Sequence, residues 1–197
     1  YITAFDIFPI DKKQICCANY SGRLMMYDYE SKAQIIEHQL KLLRRKSSIS
    51  DVEVFEIPHI TALAFSRNGY HLMAALDNGT IINLDPTVLR EIRYFNFTQE
   101  EILRINFSPD SLFVTFYDAK CNIIVFKHDK ATEEEWVVLG SKTRYHTKAI
   151  VDTLYISKPS SLPLPDITTP HHQQYHHKHP VPRLISLGED RRIIEYD

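Results

Sequence analysis

Apolar residues come in short bursts along this chain, and the bursts pair up. The stretches "QICCANYSGRLMMYD" (14–28), "HLMAALDNGTIINLD" (71–85), "LFVTFYDAKCNIIVFK" (112–127) and "RLISLGEDRRIIEYD" (183–197) share one pattern. An apolar run leads to a polar turn, and a second apolar run closes on a large side chain, followed in three of the four by Asp. Two such runs around a turn predict a β-hairpin. The closing positions are Tyr27, Leu84, Phe126 and Tyr196, separated by 57, 42 and 70 residues. The middle spacing matches the ~40–45 residues of one four-stranded propeller blade, so the other two spacings carry insertions.

A third strand precedes each hairpin. "ITAFDIF" (2–8), "ITALAFS" (60–66) and "ILRINFS" (102–108) repeat an apolar spacing of i, i+3 and i+5, at Ile2, Phe5 and Ile7, at Ile60, Leu63 and Phe65, and at Ile102, Ile105 and Phe107. "VDTLYI" (151–156) fits as Val151, Leu154 and Ile156. Near-continuous apolarity suits a strand covered on both faces. "SRNG" (66–69) and "SPDS" (108–111) are tight-turn compositions, and "REIRYFNF" (90–97) and "EEWVVLG" (134–140) are candidates for a fourth, outer strand. The expected fold class is all-β: a propeller portion of about four blades of four antiparallel strands, in units of about 1–57, 58–98, 99–145 and 146–197.

These residues resemble the WD-repeat β-propeller family along the whole chain, as degenerate repeats. "DNGTIINLD" is similar to the hallmark turn and strand, and His146 stands where the repeat's Gly-His dipeptide often places a histidine. The hallmark Trp is replaced by Tyr27, Leu84, Phe126 and Tyr196. By the resemblance, only His146 can serve the usual His-to-Asp hydrogen-bond relay. The last unit, "HTKAIVDTLYI" and then "PRLISLGEDRRIIEYD" (182–197), more narrowly resembles the WD-repeat cilia- and flagella-associated subunit of the calmodulin- and spoke-associated complex. That resemblance implies a scaffold in the motile cilium axoneme, on the cytoplasmic side. Its implied partners are a radial spoke, the calmodulin-containing complex and the doublet microtubule.

A seven-blade ring at ~42 residues per blade needs roughly 300 residues. The 197 residues therefore predict an incomplete ring, a portion of a longer protein. With 44% hydrophobic residues, 24% charged and a net charge of −2, composition gives no basic excess for nucleic acid. No apolar run reaches the ~18–20 residues needed to span a bilayer. Cys16 and Cys17 are adjacent in a strand and point to opposite faces, and with Cys121 they form no disulfide framework, so reduced surroundings are expected.

Two insertions interrupt the repeat, at 31–57 and 157–182. Within the first, "AQIIEHQLKLLRRK" (33–46) has helical apolar spacing at Ile36, Leu40 and Leu43 with a basic end, as a calmodulin target or docking helix would; the competing reading is an outer strand or short helix followed by a solvated loop. Ser47 and Ser48 follow "RRK" as candidate phosphorylation sites. The second insertion holds six of the ten prolines with His171, His172, His176, His177 and His179, and reads as a disordered surface loop with at most adventitious metal binding.

Catalytic motifs are missing from the pattern. The five glycines read as turn or strand-end residues, none in a phosphate-cradling loop, and no zinc-protease helix, nucleophile elbow or paired-cysteine zinc spacing occurs. Asp77, Asp118 and Asp190, taken as matching positions of the repeat, are expected to cap turns, and Trp136 to pack in an outer strand. The leading expectation is a non-catalytic interaction scaffold without cofactor or metal, nucleic acid or membrane partner. A cytosolic WD-repeat adaptor reading peptide motifs in a ubiquitin ligase or vesicle coat is the alternative, which a basic cluster at the channel mouth would favour. A propeller hydrolase or metal-loop enzyme is the third.

Overall fold

The computed structural model describes residues 1–41, 43–46, 53–57, 59–129, 135–143, 145–156 and 182–196. Seventeen strands and no helix occur among them. The first blade comprises β1 (Ile2–Ile7), β2 (Gln14–Asn19), β3 (Arg23–Asp28) and β4 (Ala33–Gln39), in that spatial order. A small hairpin of β5 (Leu43–Lys46) and β6 (Glu53–Glu56) follows. The second blade holds β7 (Ile60–Phe65), β8 (Leu72–Leu76), β9 (Thr80–Leu84) and β10 (Glu91–Asn96), and the third β11 (Ile102–Phe107), β12 (Phe113–Asp118), β13 (Ile123–Asp129) and β14 (Glu135–Lys142). The fourth has three strands among the described residues, β15 (Ile150–Ile156), β16 (Arg183–Gly188) and β17 (Ile193–Tyr196). All pairs are antiparallel meanders, as the short turns require.

Every inner strand carries a bulge at the same place, after Ile2, Ile60, Ile102 and Ile150. That shared irregularity sets the register of the repeat. In the second and third blades Ile60, Leu63 and Phe65, and Ile102, Ile105 and Phe107, are buried. They pack on the preceding blade: the first triple lies in a core with Cys16, Leu24 and Met26, the second in a core with Met73, Ala75 and Ile81. The equivalent residues of the fourth blade are Ile150, Thr153 and Tyr155. The triple Val151, Leu154 and Ile156 is therefore one residue out of register. A one-residue slip moves a strand's whole apolar set to the other face, and Leu154 is accordingly 59% exposed. The first triple, Ile2, Phe5 and Ile7, is exposed because no described element covers that side of the first blade.

Segment 33–46 is not a helix. Residues 33–39 form the outer strand of the first blade, with Met26 opposite Ile36 and Leu24 opposite His38. Thus the insertion expected at 31–57 contains that blade's own fourth strand. Ile36 packs on the first core and Leu40 is buried in it, so the apolar spacing that suggested a helix serves a strand and the turn beyond it. Gly140 lies inside β14, not at its end, next to the bulge that leaves Leu139 exposed.

Candidate protein-interaction site

The hairpins β2–β3, β8–β9, β12–β13 and β16–β17 turn on one face of the arc, each through a residue with positive φ: Gly22 (72°), Gly79 (81°), Cys121 (65°) and Arg191 (65°). Aligned on that residue, the turns are capped in two ways. Asn19 and Asp118 stand three residues before it; Asn19 accepts from Ser21 N (3.1 Å) and Arg23 N (3.0 Å), and Asp118 from Lys120 N (3.0 Å) and Asn122 N (2.9 Å). Asn78 and Asp190 stand one residue before it and accept from Thr80 N (3.0 Å) and Arg192 N (3.1 Å). Asp77 stands two residues before it, so the three aspartates are not matching positions. Its turn is capped by Asn78, and its carboxylate turns instead to His59 Nδ1 at 3.0 Å.

In the fourth blade His146 Nδ1 lies 3.0 Å from Asp190, His146 Nε2 lies 2.6 Å from Ser186 Oγ, and Ser186 Oγ lies 2.9 Å from Tyr196 OH. An ionised carboxylate only accepts, so the imidazole donates to Asp190; with the imidazole neutral, Ser186 donates to Nε2 and Tyr196 to Ser186. The donors reproduce a Ser-His-Asp arrangement, but Ser186 is fully buried, His146 almost so, and Gly188 is packed so closely that a Cβ there would lie 2.3 Å from His146 Nδ1. A nucleophile must be reachable by substrate. This set is sealed and acts as a clamp joining the loop before β15 to the β16–β17 turn.

The backbone N–H of Thr147, with His146 and Arg192 N–H, holds the Asp190 carboxyl well below the usual carboxylate range. A depressed folded-state value stabilises the fold above the ordinary carboxylate pKa of about 4, and that stabilisation is lost as pH falls below it. Asp190→Asn should therefore lower Tm near neutral pH and flatten the acid dependence of stability. Thermal unfolding scanned from about pH 7 to about pH 3 checks this.

The other hallmark positions pack without a relay. Leu84 and Phe126 are buried, Phe126 beneath the rings of Phe95 and Phe97, and half-buried Tyr27 bonds Gln34 Oε1 at 3.2 Å. Trp136 is buried in β14 against Phe107, His71 and His128.

The inner strands β1, β7 and β11 line a cavity of about 460 Å³ on the arc's concave side. Phe5 and Leu103 present apolar surface there, with Arg67 and Arg104 beside them and Asp6 and Asn106 along the wall. Polar side chains lock the wall blade to blade. Asp6 accepts from Phe65 N at 2.8 Å, Thr61 Oγ1 donates to Ile102 O at 2.6 Å, and Asn106 Nδ2 donates to Thr153 O at 2.9 Å. Burial pushes the Asp6 carboxyl up against the pull of the Phe65 and Ile7 N–H groups, while Arg104 lies 3.6 Å from Asp152.

Ser47 and Ser48, and the histidines of the second insertion, lie outside the described residues. Among the described residues no group of three or more His, Cys, Asp or Glu is placed to hold a metal ion. The His59–Asp77 pair was not anticipated. Its only sequence signal is a histidine one residue before an inner strand, whereas His146 stands four before Ile150.

No protein-family model and no curated protein matches this chain. Among solved structures, the crystal structure of RRP9 WD40 repeats is similar with a TM-score of 0.60 and 14% identity, over 77% of this chain and 41% of that one. The structure of U3-55K is similar with a TM-score of 0.62 and 10% identity, over 99% of this chain and 51% of that one. The chain thus spans about half the length of the structures it matches. With its repeated four-stranded meanders, this chain has the WD-repeat β-propeller fold, as an incomplete ring.

Proposed function

We propose that this chain is a non-catalytic protein-interaction scaffold. The observation that carries the reading is the sealed relay: the Ser186, His146 and Asp190 set is spent on clamping a blade. What the arc offers to solvent is shaped surface, namely a concave wall, a face of hairpin turns and exposed blade sides, which suits docking.

In its finer form the scaffold belongs to the motile cilium axoneme, docking a radial spoke and its calmodulin-containing complex to the doublet microtubule. This rests on the resemblance of the last unit, residues 146–156 and 182–197. The adaptor reading has one observation of its own, Arg67 and Arg104 on the concave wall, suited to an acidic or phosphorylated peptide. Cross-linking mass spectrometry of the full-length protein in isolated axonemes separates the two. The ciliary scaffold predicts cross-links from exposed lysines such as Lys12, Lys32 and Lys148 to radial-spoke, calmodulin or tubulin peptides. Recovery from cytosol with ligase or coat subunits overturns the ciliary reading, and turnover of a substrate at the relay overturns the scaffold itself.

A further inference from the structure

The pair Asn-Gly occurs twice in this chain, at 68–69 in the β7–β8 turn and at 78–79 in the β8–β9 turn. A glycine after asparagine has no Cβ to shield its own backbone nitrogen, and that nitrogen can reach the side-chain carbonyl of the asparagine. The fold treats the two pairs differently. Asn68 is exposed and Asn78 half-buried. Asn68 Oδ1 accepts from Ser66 Oγ at 2.7 Å and from Tyr70 N at 3.1 Å, whereas among the described residues Asn78 Oδ1 accepts only from Thr80 N, at 3.0 Å. Two donors aimed at a carbonyl oxygen stabilise the negative charge that gathers there when its carbon is attacked.

The glycines differ as well. A Cβ at Gly79 would lie 2.2 Å from Thr98 O, a backbone atom, so the chain is wedged there. At Gly69 the nearest neighbours are the side chains of Ile10 and Phe8, at 2.8 Å and 3.1 Å, which can give way. Gly69 N–H donates to Ser66 O at 2.9 Å, and that one turn bond must open before the nitrogen can swing toward Asn68 Cγ.

We propose that Asn68 is a site of spontaneous modification, where the chain converts its own asparagine to aspartate and isoaspartate through a succinimide. The Gly69 nitrogen, its proton passed to solvent base, attacks Asn68 Cγ; the bond from Cγ to Nδ2 breaks, and ammonia leaves with a proton taken from water. Water then opens either carbonyl of the ring. Opening at one gives aspartate, and at the other isoaspartate, whose main chain runs through the former side chain.

The fold accommodates only the first product. Asp110 fills the equivalent place in the β11–β12 turn, where it accepts from Ser108 Oγ and from Leu112 N at 3.0 Å, so an aspartate at position 68 keeps its turn. Isoaspartate lengthens the main chain by one carbon and displaces the Asn68 N–H from Ser111 Oγ, which it meets at 3.1 Å across the junction of the second and third blades. Both products place a new negative charge beside Arg67 and Tyr70, exposed residues on the side of the arc opposite the β8–β9 turn.

The test is peptide mapping by mass spectrometry of the whole chain held in mildly alkaline buffer at body temperature, with isoaspartate read by enzymatic methyl transfer to its free carboxyl. In the folded chain conversion at Asn68 is expected to run roughly tenfold faster than at Asn78, and in urea, where the turn bonds and the wedge are gone, the two rates should come together. Asn68→Asp should abolish the modification in this turn and keep the wild-type unfolding midpoint. No conversion at Asn68, conversion as fast at Asn78 in the folded chain, or the same ratio of rates with and without urea each overturns the proposal. A midpoint lowered by Asn68→Asp overturns the accommodation of the aspartate product.

Discussion

Gly79→Ala is expected to destabilise the chain by about 3 kcal/mol, among the larger effects of a single substitution. The backbone there has φ +81°, which costs an L-residue on its own. That cost is bearable, because Cys121 and Arg191 adopt φ 65° at the equivalent place in their turns. Gly79 differs in what crosses it. A Cβ would lie 2.2 Å from Thr98 O and 2.7 Å from Thr98 C, both backbone atoms of the segment joining β10 to β11. That segment is held in turn by Thr98 Oγ1 donating to Asp118 Oδ2 at 3.0 Å. Relieving the clash must disturb the link between the second and third blades. Urea unfolding checks it: the midpoint should fall sharply, and Gly79→Asn should rescue nothing, although Asn tolerates positive φ.

The second large effect is expected at Phe126. Its ring is buried and meets Phe95 at 5.4 Å, Phe97 at 4.8 Å and Phe116 at 5.3 Å, largely edge to face. Phe126→Ala removes the centre of that cluster and leaves a cavity between two blades, costing about 3–5 kcal/mol. Phe126→Leu should recover most of the loss, since the site needs apolar volume more than an aromatic ring. Denaturant midpoints at constant slope measure both.

Much of the fold was legible because blades repeat. The hairpin pattern located β2–β3, β8–β9, β12–β13 and β16–β17, and the turn compositions at 66–69 and 108–111 marked real turns, with Gly69 and Ser111 at positive φ. The failures have physical causes. Val151, Leu154 and Ile156 match the spacing of the other inner strands, but the bulge after Ile150 decides which face each side chain takes, and bulges leave little trace in apolarity. Ile36 and Leu40 are four apart, a helical interval, yet the strand ends at Gln39 and Leu40 reaches the core from the turn, its N–H donating to Gly22 O at 3.0 Å. Periodicity alone does not separate these cases.

The candidate sites were less legible. His146 was found through the repeat, but its full relay to Ser186 and Tyr196 depends on antiparallel register. The His59–Asp77 pair stacked on Tyr20 joins residues 18 apart with a third from another blade, which only blade packing brings together.

The central claim is that these sheets are successive blades of one arc, packed through their inner and hallmark residues in the register set by the bulges. Aromatic and methyl NOE measurements on the whole chain test it most directly. The account predicts contacts between Phe8 and Phe65, between Phe95 and Phe126, and between the side chains of Thr115 and Tyr155, each across one blade junction. Contacts confined within single sheets, or Leu154 in place of Tyr155 against Thr115, would contradict it.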